Sequence, residues 1–284
     1  MKIGISALPY AYGKERYKKL REAGFDCHDF QLANTTVEPY TLDDEGFRAY
    51  AEEERRLAEE AGIRINQMHG PWQWPLHDAT EEERAERMEK MKRSVLAASI
   101  MGADYLIIHP LMPHGIKERA DERLSAETFD INVTFLRELA EYALALGVTV
   151  CLENMPFPDF SITTPADVVR VIDAVGSEGL KMCLDTGHAC MFPDWQPGKT
   201  VRTYPEYIRT LHVHDNDGKN DSHFMPYYRG VIDWQDFTAA LAEVGFDGTL
   251  SLECAPPWKM PKAPYDKFIA AYAALANSIA GNED

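Results

Sequence analysis

Basic residues are scarce in this chain. Among 284 residues, lysine and arginine number 29 while aspartate and glutamate number 46, so the net charge is −17 with histidine neutral. Such an excess of negative charge repels polyanions at long range. The composition therefore disfavours a nucleic-acid partner, which would need a local basic groove to bind.

Long apolar runs are missing as well. No run approaches the ~20 residues that a membrane-spanning helix needs. The start of the chain, MKIGISALPYAYG, is too short and too polar for a secretory signal peptide. We therefore expect a cytoplasmic protein that has no membrane partner.

Linkers are a third absence, since no Pro/Ser-rich or low-complexity tract divides the chain. The five cysteines form no C-x-x-C pair and no framework of the secreted type. The length and a hydrophobic content of 45% allow a full core, in two domains or in one α/β barrel. The lack of a linker favours a single domain over residues 1–284.

What is present is a regular alternation of apolar strands and amphipathic helices. Strands are predicted at 2–8, 26–33, 64–70, 105–110, 148–155, 181–185, 210–216 and 249–255. The clearest helices are predicted at 14–23, 42–61, 80–101 and 125–146. Glycines follow these helices, as expected where a helix ends and the next strand begins.

This alternation specifies a parallel sheet covered by helices, in the α/β class. Eight units at this length predict a (β/α)8 TIM barrel, with a doubly wound open sheet as the alternative. No G-x-G-x-x-G turn follows the first strand, which weakens the dinucleotide-binding version of that alternative. In a barrel, the active site lies at the carboxyl ends of the strands.

Carboxylates and imidazoles stand at those ends. The recurring ones are His69, His109, Glu153, Asp185, His212 and Glu253. At one rim these groups would repel each other or titrate unless a cation joined them, so a divalent metal is the simplest interpretation. Mixed His/Asp/Glu ligation without a thiolate suits Mn²⁺, Zn²⁺, Co²⁺, Fe²⁺ or Mg²⁺.

The preferred ligands end four consecutive strands, the fifth to the eighth. They are Glu153, Asp185, His212 and Glu253. Any one of them alone is equally well explained as a helix cap, a buried polar group or a surface charge, but the four together are not. His214 shares a strand face with His212, so either is a candidate ligand.

Other polar residues allow two interpretations. The pair Asp221 and His223 lies on a loop that either folds back over the site or makes a local Asx-type turn. By contrast, we interpret His28, His77 and His114 as ordinary solvent-facing histidines in loops or at an undefined strand phase.

An ordered series of short motifs carries a family resemblance from about residue 64 to 257. The motifs are HGP at 69–71, IHP at 108–110, LEN at 152–154, CLDTGH at 183–188, HVHDNDG at 212–218, DSH at 221–223, GVIDW at 230–234 and LEC at 252–254. As an ordered set they resemble the xylose-isomerase-like TIM barrel superfamily. This group contains sugar and sugar-phosphate isomerases and epimerases, together with endonuclease IV.

The resemblance to the ketose epimerases of this group implies one divalent metal held by the four preferred ligands. It also implies that Glu153 and Glu253 transfer protons through a metal-stabilised enediolate, and that His188 contacts a small sugar or sugar phosphate. A homo-oligomer is a further family-level expectation. A dehydratase or a non-catalytic sugar-binding barrel built on the same site is an alternative.

The resemblance to endonuclease IV implies a different site, a three-zinc cluster for cleaving abasic DNA. Its ligands correspond here to His69, His109, Glu153, Asp185, His188, His212, Asp221, His223 and Glu253. Suitable residues occupy all of these positions, so a trinuclear zinc phosphodiesterase is the alternative function. Many sugar-isomerase-like members retain the same set, which therefore discriminates poorly.

Residues around the site favour the sugar. Trp72 and Trp74 follow His69 and offer flat faces that either stack on sugar rings or pack between loops. Arg229 lies beside the GVIDW motif, where it is suited to a phosphate or a carboxylate. We also assign His69, His109 and His214 to the wall of the substrate pocket.

Overall fold

A computed structural model describes residues 1–6, 10–32, 39–254, 256–257 and 259–282. Eight strands form one sheet in the order β7-β6-β5-β4-β3-β2-β1-β8. The strands are β1 (Lys2–Ile5), β2 (Cys27–Gln31), β3 (Arg64–His69), β4 (Tyr105–Ile108), β5 (Thr149–Glu153), β6 (Leu180–Asp185), β7 (Ile208–His212) and β8 (Thr249–Leu252).

Helices separate these strands along the chain. They are α1 (Arg16–Ala23), α2 (Asp44–Glu60), α3 (Glu81–Met101), α4 (Glu122–Ala145), α5 (Pro165–Val175), α6 (Thr186–Cys190), α7 (Pro197–Thr203), α8 (Trp234–Glu243) and α9 (Lys262–Ile279). The predicted (β/α)8 TIM barrel is confirmed. Within the described part of the chain, no helix is long and apolar enough to cross a membrane.

Contacts between Cα atoms divide the chain into two compact units. The terminal unit comprises residues 1–29, 54–66 and 184–284, and the internal unit comprises residues 30–53 and 67–183. The single-domain boundary of 1–284 stays a prediction.

In the terminal unit, β1 is paired on both sides. It runs parallel to β2, with Gly4 opposite Cys27, and parallel to β8, with Gly4 opposite Ser251. Just past the end of β7, the amide of Val213 donates to the carbonyl of Ser251 over 2.8 Å. This bond joins the chain after β7 to β8 and sets the side chains that follow both strands next to each other.

In the internal unit, parallel pairing connects β3 to β4, β4 to β5 and β5 to β6. The register places Ile107 opposite Cys151 and Glu153 opposite Cys183. Ile107, Cys151 and Cys183 are buried together in one apolar cluster. The two cysteines are therefore small core side chains beneath the strand ends that carry the polar residues.

Capping interactions explain where the helices begin and end. Thr80 precedes α3 and forms a capping box with Glu83, and Gly102 ends the helix with a φ of 76°. α4 was predicted to begin at Ser125 but begins at Glu122, because the Asp121 side chain accepts the amide of Leu124 and caps the helix earlier.

Several predicted strands are too long. β7 ends at His212 and β8 at Leu252, so His214 and Glu253 lie just beyond the strands. Predicted strand residues 7–8, 33 and 255 lie outside the described residues. The interpretation of His28 as solvent-facing is wrong: it lies in β2 and its side chain is buried, with Nδ1 2.9 Å from the Ile5 carbonyl oxygen.

Candidate metal-binding site

The internal unit gathers three potential metal ligands at the carboxyl ends of β3, β4 and β5. The Nε2 atoms of His69 and His109 lie 3.4 and 3.2 Å from Oε2 of Glu153, and 3.2 Å from each other. Nitrogen and oxygen donors that converge in this way are suited to a divalent ion. The structure thus brings these three strand-end residues together within this unit.

Neighbouring groups orient both imidazoles. Nδ1 of His69 lies 2.8 Å from the carbonyl oxygen of Gly70, which accepts a hydrogen bond from it and leaves Nε2 directed at Glu153. The guanidinium of Arg87 donates to the backbone carbonyl of His109 over 3.0 Å and forms an ion pair with the buried Asp78. Both histidines are thus held by their surroundings.

The tryptophan loop lies beside this group. The Trp72 ring centroid is 5.4 Å from that of His109, with the planes inclined by 41°. The side chain of Trp72 is 43% exposed and that of Trp74 is 65% exposed. Trp72 therefore packs on a histidine of the group and still presents apolar surface to solvent, whereas Trp74 is mainly solvent-facing.

In the terminal unit, Asp185 ends β6 and caps the next helix. Its Oδ1 accepts the backbone amide of His188 over 2.6 Å, and its side chain is fully buried. Residues 186–190 form the short helix α6, because the Asp185 cap satisfies an amide of its first turn. This helix brings His188 back towards the carboxylate.

His212 lies between two carboxylates. Its Nε2 atom is 3.0 Å from Oδ2 of Asp29, and its Nδ1 atom is 3.2 Å from Oε2 of Glu253. One ligand atom from each of Asp185, His212 and Glu253 lies within 4.8 Å of the others. Sequence reasoning missed Asp29, because it lies inside the short strand CHDFQ and not at its end; an acid within a buried strand was the available signal.

A second cluster in the terminal unit contains His188, His214, Asp221 and His223. Asp221 lies 3.4 Å from Nε2 of His188 and 3.2 Å from Nε2 of His223. The loop after His214 therefore folds back over the strand ends of its own unit, and the alternative of a purely local turn is wrong. His223 adopts a φ of 45°, a left-handed conformation that few residues other than glycine take.

The Asp221 and His223 side chains form a charged pair. Burial alone would raise the pKa of Asp221, but hydrogen bonds and positive charge from His188 and His223 lower it. Burial alone would lower the pKa of His223, yet its hydrogen bond with Asp221 and the charges of Glu253, Asp221 and Asp185 raise it to about 9. A carboxylate thus faces an imidazolium at neutral pH.

His214 belongs to the second cluster and also contacts Asp185. Its Nε2 atom lies 3.0 Å from Asp185, and its ring stacks on that of His223. Below the ring lies Gly187, where any side chain carbon would overlap the imidazole. His214 therefore contacts Asp185 from the second cluster, whereas His212 belongs with Asp185 and Glu253.

The segment after His223 is attached to the buried carboxylate of Asp215. This carboxylate accepts four hydrogen bonds, from the amides of Asn216, Val231 and Ile232 and from the indole Nε1 of Trp234. Arg229 lies between these attachments, and its guanidinium carbon is 4.7 Å from the Phe224 ring and 5.5 Å from the Tyr228 ring. The structure places Arg229 on these aromatic rings.

Comparisons with known proteins found matches in sequence and in fold. A family model described as xylose isomerase-like TIM barrel matches residues 17–272. An uncharacterised protein of Methanocaldococcus jannaschii is 25% identical over 268 residues, which covers 89% of this chain and 83% of that protein.

Two further matches are epimerases. D-psicose 3-epimerase of Ruminiclostridium cellulolyticum is 32% identical over 123 residues, covering 43% of this chain and 40% of that enzyme. A crystal structure of D-psicose 3-epimerase with D-tagatose from Clostridium cellulolyticum H10 has a TM-score of 0.77 and 19% identity, with 98% of this chain and 99% of that chain covered. The second match shows the shared fold.

Proposed function

Because the chain belongs to the xylose isomerase-like TIM barrel family, we propose that it is a divalent-metal-dependent epimerase or isomerase of a small sugar or sugar phosphate. The observation that carries the proposal is the convergence of Asp185, His212 and Glu253 in the terminal unit. Similarity to sugar 3-epimerases supports the reaction class. A cytoplasmic location and a homo-oligomeric state stay predictions.

The proposed metal ligands are the three groups just named together with Glu153, which ends β5. The chemistry of the donors fits a metal, since carboxylates as deeply buried as Asp185 need positive charge nearby. Carboxylate and imidazole donors without a thiolate accept Mn²⁺, Co²⁺, Fe²⁺, Zn²⁺ or Mg²⁺. When bound, such an ion supplies Lewis-acid stabilisation of the negative charge that develops on substrate oxygens.

Proton transfer is assigned to the two glutamates. One of Glu153 and Glu253 removes the proton next to the substrate carbonyl, and the other returns a proton, from the opposite face for an epimerisation. Glu153 is almost fully buried, whereas the Glu253 side chain is 19% exposed. The two bases therefore differ in their access to solvent. In D₂O, a base that has exchanged its proton with the solvent would return deuterium to the substrate carbon.

Substrate contacts are assigned to side chains around the two clusters. His188 is directed by the Asp185 cap and holds a substrate oxygen. Trp72 offers its exposed face to the apolar side of a sugar ring. His69, His109 and His214 complete the wall, and Arg229 is proposed to bind an anionic substituent, which a sugar phosphate or an acidic sugar would carry.

The first test is the metal content of the purified, untagged protein, measured by inductively coupled plasma mass spectrometry. We expect about one divalent ion per chain from the single four-ligand site. The loaded protein is then incubated in D₂O with a panel of ketoses and ketose phosphates, and the products are identified by NMR. Deuterium on the epimerised carbon supports the proposal, and loss of water from the substrate would instead identify a dehydratase.

A protein that binds the ion but neither exchanges deuterium nor converts any sugar in the panel would support a non-catalytic sugar-binding barrel. That outcome would contradict the proposed reaction while leaving the metal site intact. A protein that takes up no divalent ion under any loading condition would contradict both the site and the reaction.

A second candidate, a trinuclear zinc phosphodiesterase, is favoured by the two additional clusters. His69, His109 and Glu153 form one, and His188, Asp221 and His223 belong to the other. This reading predicts about three zinc ions per chain and a nicked abasic duplex. It also predicts that His69→Ala and His109→Ala abolish cleavage. Against it stands the net charge of −17, which opposes binding of a polyanion.

A further inference from the structure

Asp29 is a buried carboxylate on β2 that faces away from solvent and towards His212. Its Oδ2 atom lies 3.0 Å from Nε2 of His212 and 3.3 Å from the hydroxyl of Ser251. All three side chains are essentially inaccessible to water. An ionised carboxylate is stable in such a place only when donors direct protons at it, and His212 and Ser251 supply them.

The position of Asp29 determines which nitrogen of His212 carries the proton. A neutral imidazole has one N–H donor and one acceptor nitrogen. Both ring nitrogens face a carboxylate, so a cation held by Glu253 would take the lone pair of Nδ1 while Asp29 accepts a hydrogen bond from the proton on Nε2. Nδ1 is the atom directed at Glu253, at 3.2 Å. The acceptor nitrogen of His212 thus points into the proposed ligand set.

We infer that Asp29 is a positioning residue that fixes His212 as an Nδ1 ligand of the metal. The inference rests on the proposed function, since it needs Asp185, His212 and Glu253 to hold the ion. A carboxylate that accepts the distal N–H of a ligating histidine sets its tautomer and ring orientation and strengthens its electron donation. Asp29 completes that arrangement from a strand that contributes no ligand.

The orientation of the His212 ring also depends on this contact. His212 is the last residue of β7, and its backbone is held by that strand and by the bond from the next amide, that of Val213, to the Ser251 carbonyl. The hydrogen bond to Asp29 fixes the rotation of the imidazole about its Cβ–Cγ bond. Loss of this bond would remove a restraint on the orientation of the ring, and so on which of its nitrogens faces Glu253.

The variant that tests the inference is Asp29→Asn, which keeps the size of the side chain and removes its charge. Metal-free wild type and variant are titrated with Co²⁺, and binding is followed by the visible d–d absorption bands and by calorimetry. We expect the variant to bind Co²⁺ about 10- to 100-fold more weakly and with altered band positions, as is typical when a partner of a ligating histidine is removed.

A matched control is Glu54→Gln, which also converts a buried carboxylate of the terminal unit into an amide. Glu54 accepts the hydroxyl of Tyr17 over 2.7 Å and pairs with Arg16. We expect this control to lower resistance to urea while Co²⁺ affinity and spectrum stay as in wild type. Ser251→Ala removes the second donor to the same Asp29 oxygen, and we expect a smaller loss of affinity than in Asp29→Asn.

A measurement on the wild type alone covers the case in which Asp29→Asn does not fold. NMR of zinc-loaded protein labelled with ¹⁵N-histidine reports which nitrogen of His212 is protonated, and we expect Nε2. A proton on Nδ1, or Co²⁺ binding by Asp29→Asn that equals wild type in affinity and spectrum, would overturn the inference.

The outcome for Asp29 is separable from that for the proposed function. If no sugar in the panel reacts but Asp29→Asn still weakens Co²⁺ binding, the positioning role stands and the reaction is wrong. If wild type binds no Co²⁺, or binds it equally well after Glu253→Gln and Asp185→Asn, the proposed ligand set is wrong and the inference falls with it.

Discussion

The imidazole ring of His214 lies flat on that of His223, with ring centroids 3.9 Å apart and planes inclined by only 4°. Gly187 also lies against the His214 ring, and its missing side chain leaves room for that ring. His214 is therefore in close contact with both a glycine and a second imidazole. Its contact with Asp185 depends on both neighbours.

Gly187→Ala should disturb this arrangement directly. The added methyl group overlaps the His214 ring, so the ring or helix α6 must move, and overpacking of this kind costs about 1–3 kcal/mol of unfolding free energy. We expect a lower urea midpoint together with weaker Co²⁺ binding.

The control is Gly46→Ala in α2, where alanine favours the helix. Because the added methyl group would lie 3.1 Å from Oδ1 of Asp43, this variant also tests for simple crowding, and we expect no effect on Co²⁺ binding. Equal behaviour of the two variants would show that the space at Gly187 is unimportant.

Replacement of either proposed base should stop turnover. Glu153→Gln and Glu253→Gln each remove a proton acceptor, and a positioned base accelerates such steps about 10²- to 10⁴-fold. The measurement is kcat for the sugar identified in the deuterium assay, with metal content determined on the same samples. Glu178→Gln, on an exposed side chain, should keep full activity. Retained activity in either base variant would remove that glutamate from the mechanism.

Trp72→Ala should weaken substrate binding more than Trp74→Ala. Trp72 packs beside His109 and is less exposed than Trp74, so only the first is positioned to stack on a bound sugar. A stacked aromatic contact contributes about 0.5–1.5 kcal/mol, which corresponds to a KM raised about 2- to 10-fold at unchanged kcat. Steady-state kinetics of both variants measure the two KM values. Identical values would contradict a stacking role that belongs to Trp72 alone.

His28 should make stability depend on pH. Burial lowers its pKa from 6.5 to about 4, so protonation favours the unfolded chain. Its stabilising effect is fully present above about pH 6.5 and is lost as the pH falls towards 4, by about 3 kcal/mol when complete. His28→Asn retains a donor for the Ile5 carbonyl and cannot titrate.

Urea unfolding of chelator-treated protein at several pH values measures this effect. We expect the gap in unfolding free energy between wild type and His28→Asn to shift in favour of the variant between pH 6.5 and 4. A gap that is constant with pH would show that His28 titrates normally.

The barrel was predictable because its signals are local and repeated. A glycine at a helix end is recognised from a local requirement, the positive φ that Gly102 adopts. Apolar strands are recognised from their composition. Helix α6 was not predictable by the same means, since five residues carry no periodicity. It forms because Asp185, a residue already assigned to metal binding, also caps it.

The site was predictable as a set of strand-end residues but not as a geometry. Asp29 was missed although it is an acid within a buried strand, because the sequence CHDFQ does not tell which strand residue faces His212. Only the structure distinguishes His212 from His214, because the two share a sequence context and differ in the carboxylates that they contact.

The four hydrogen bonds on Asp215 have a practical consequence for protein engineering. Phe224 pairs with the backbone of Asp215, and Val231 donates to its carboxylate, so both ends of residues 225–230 are attached to one residue. Libraries that vary the length and sequence of 225–229 should therefore yield folded proteins. Laboratory evolution of new substrate preference is best begun in that segment, with Asp215 and Gly230 left unchanged.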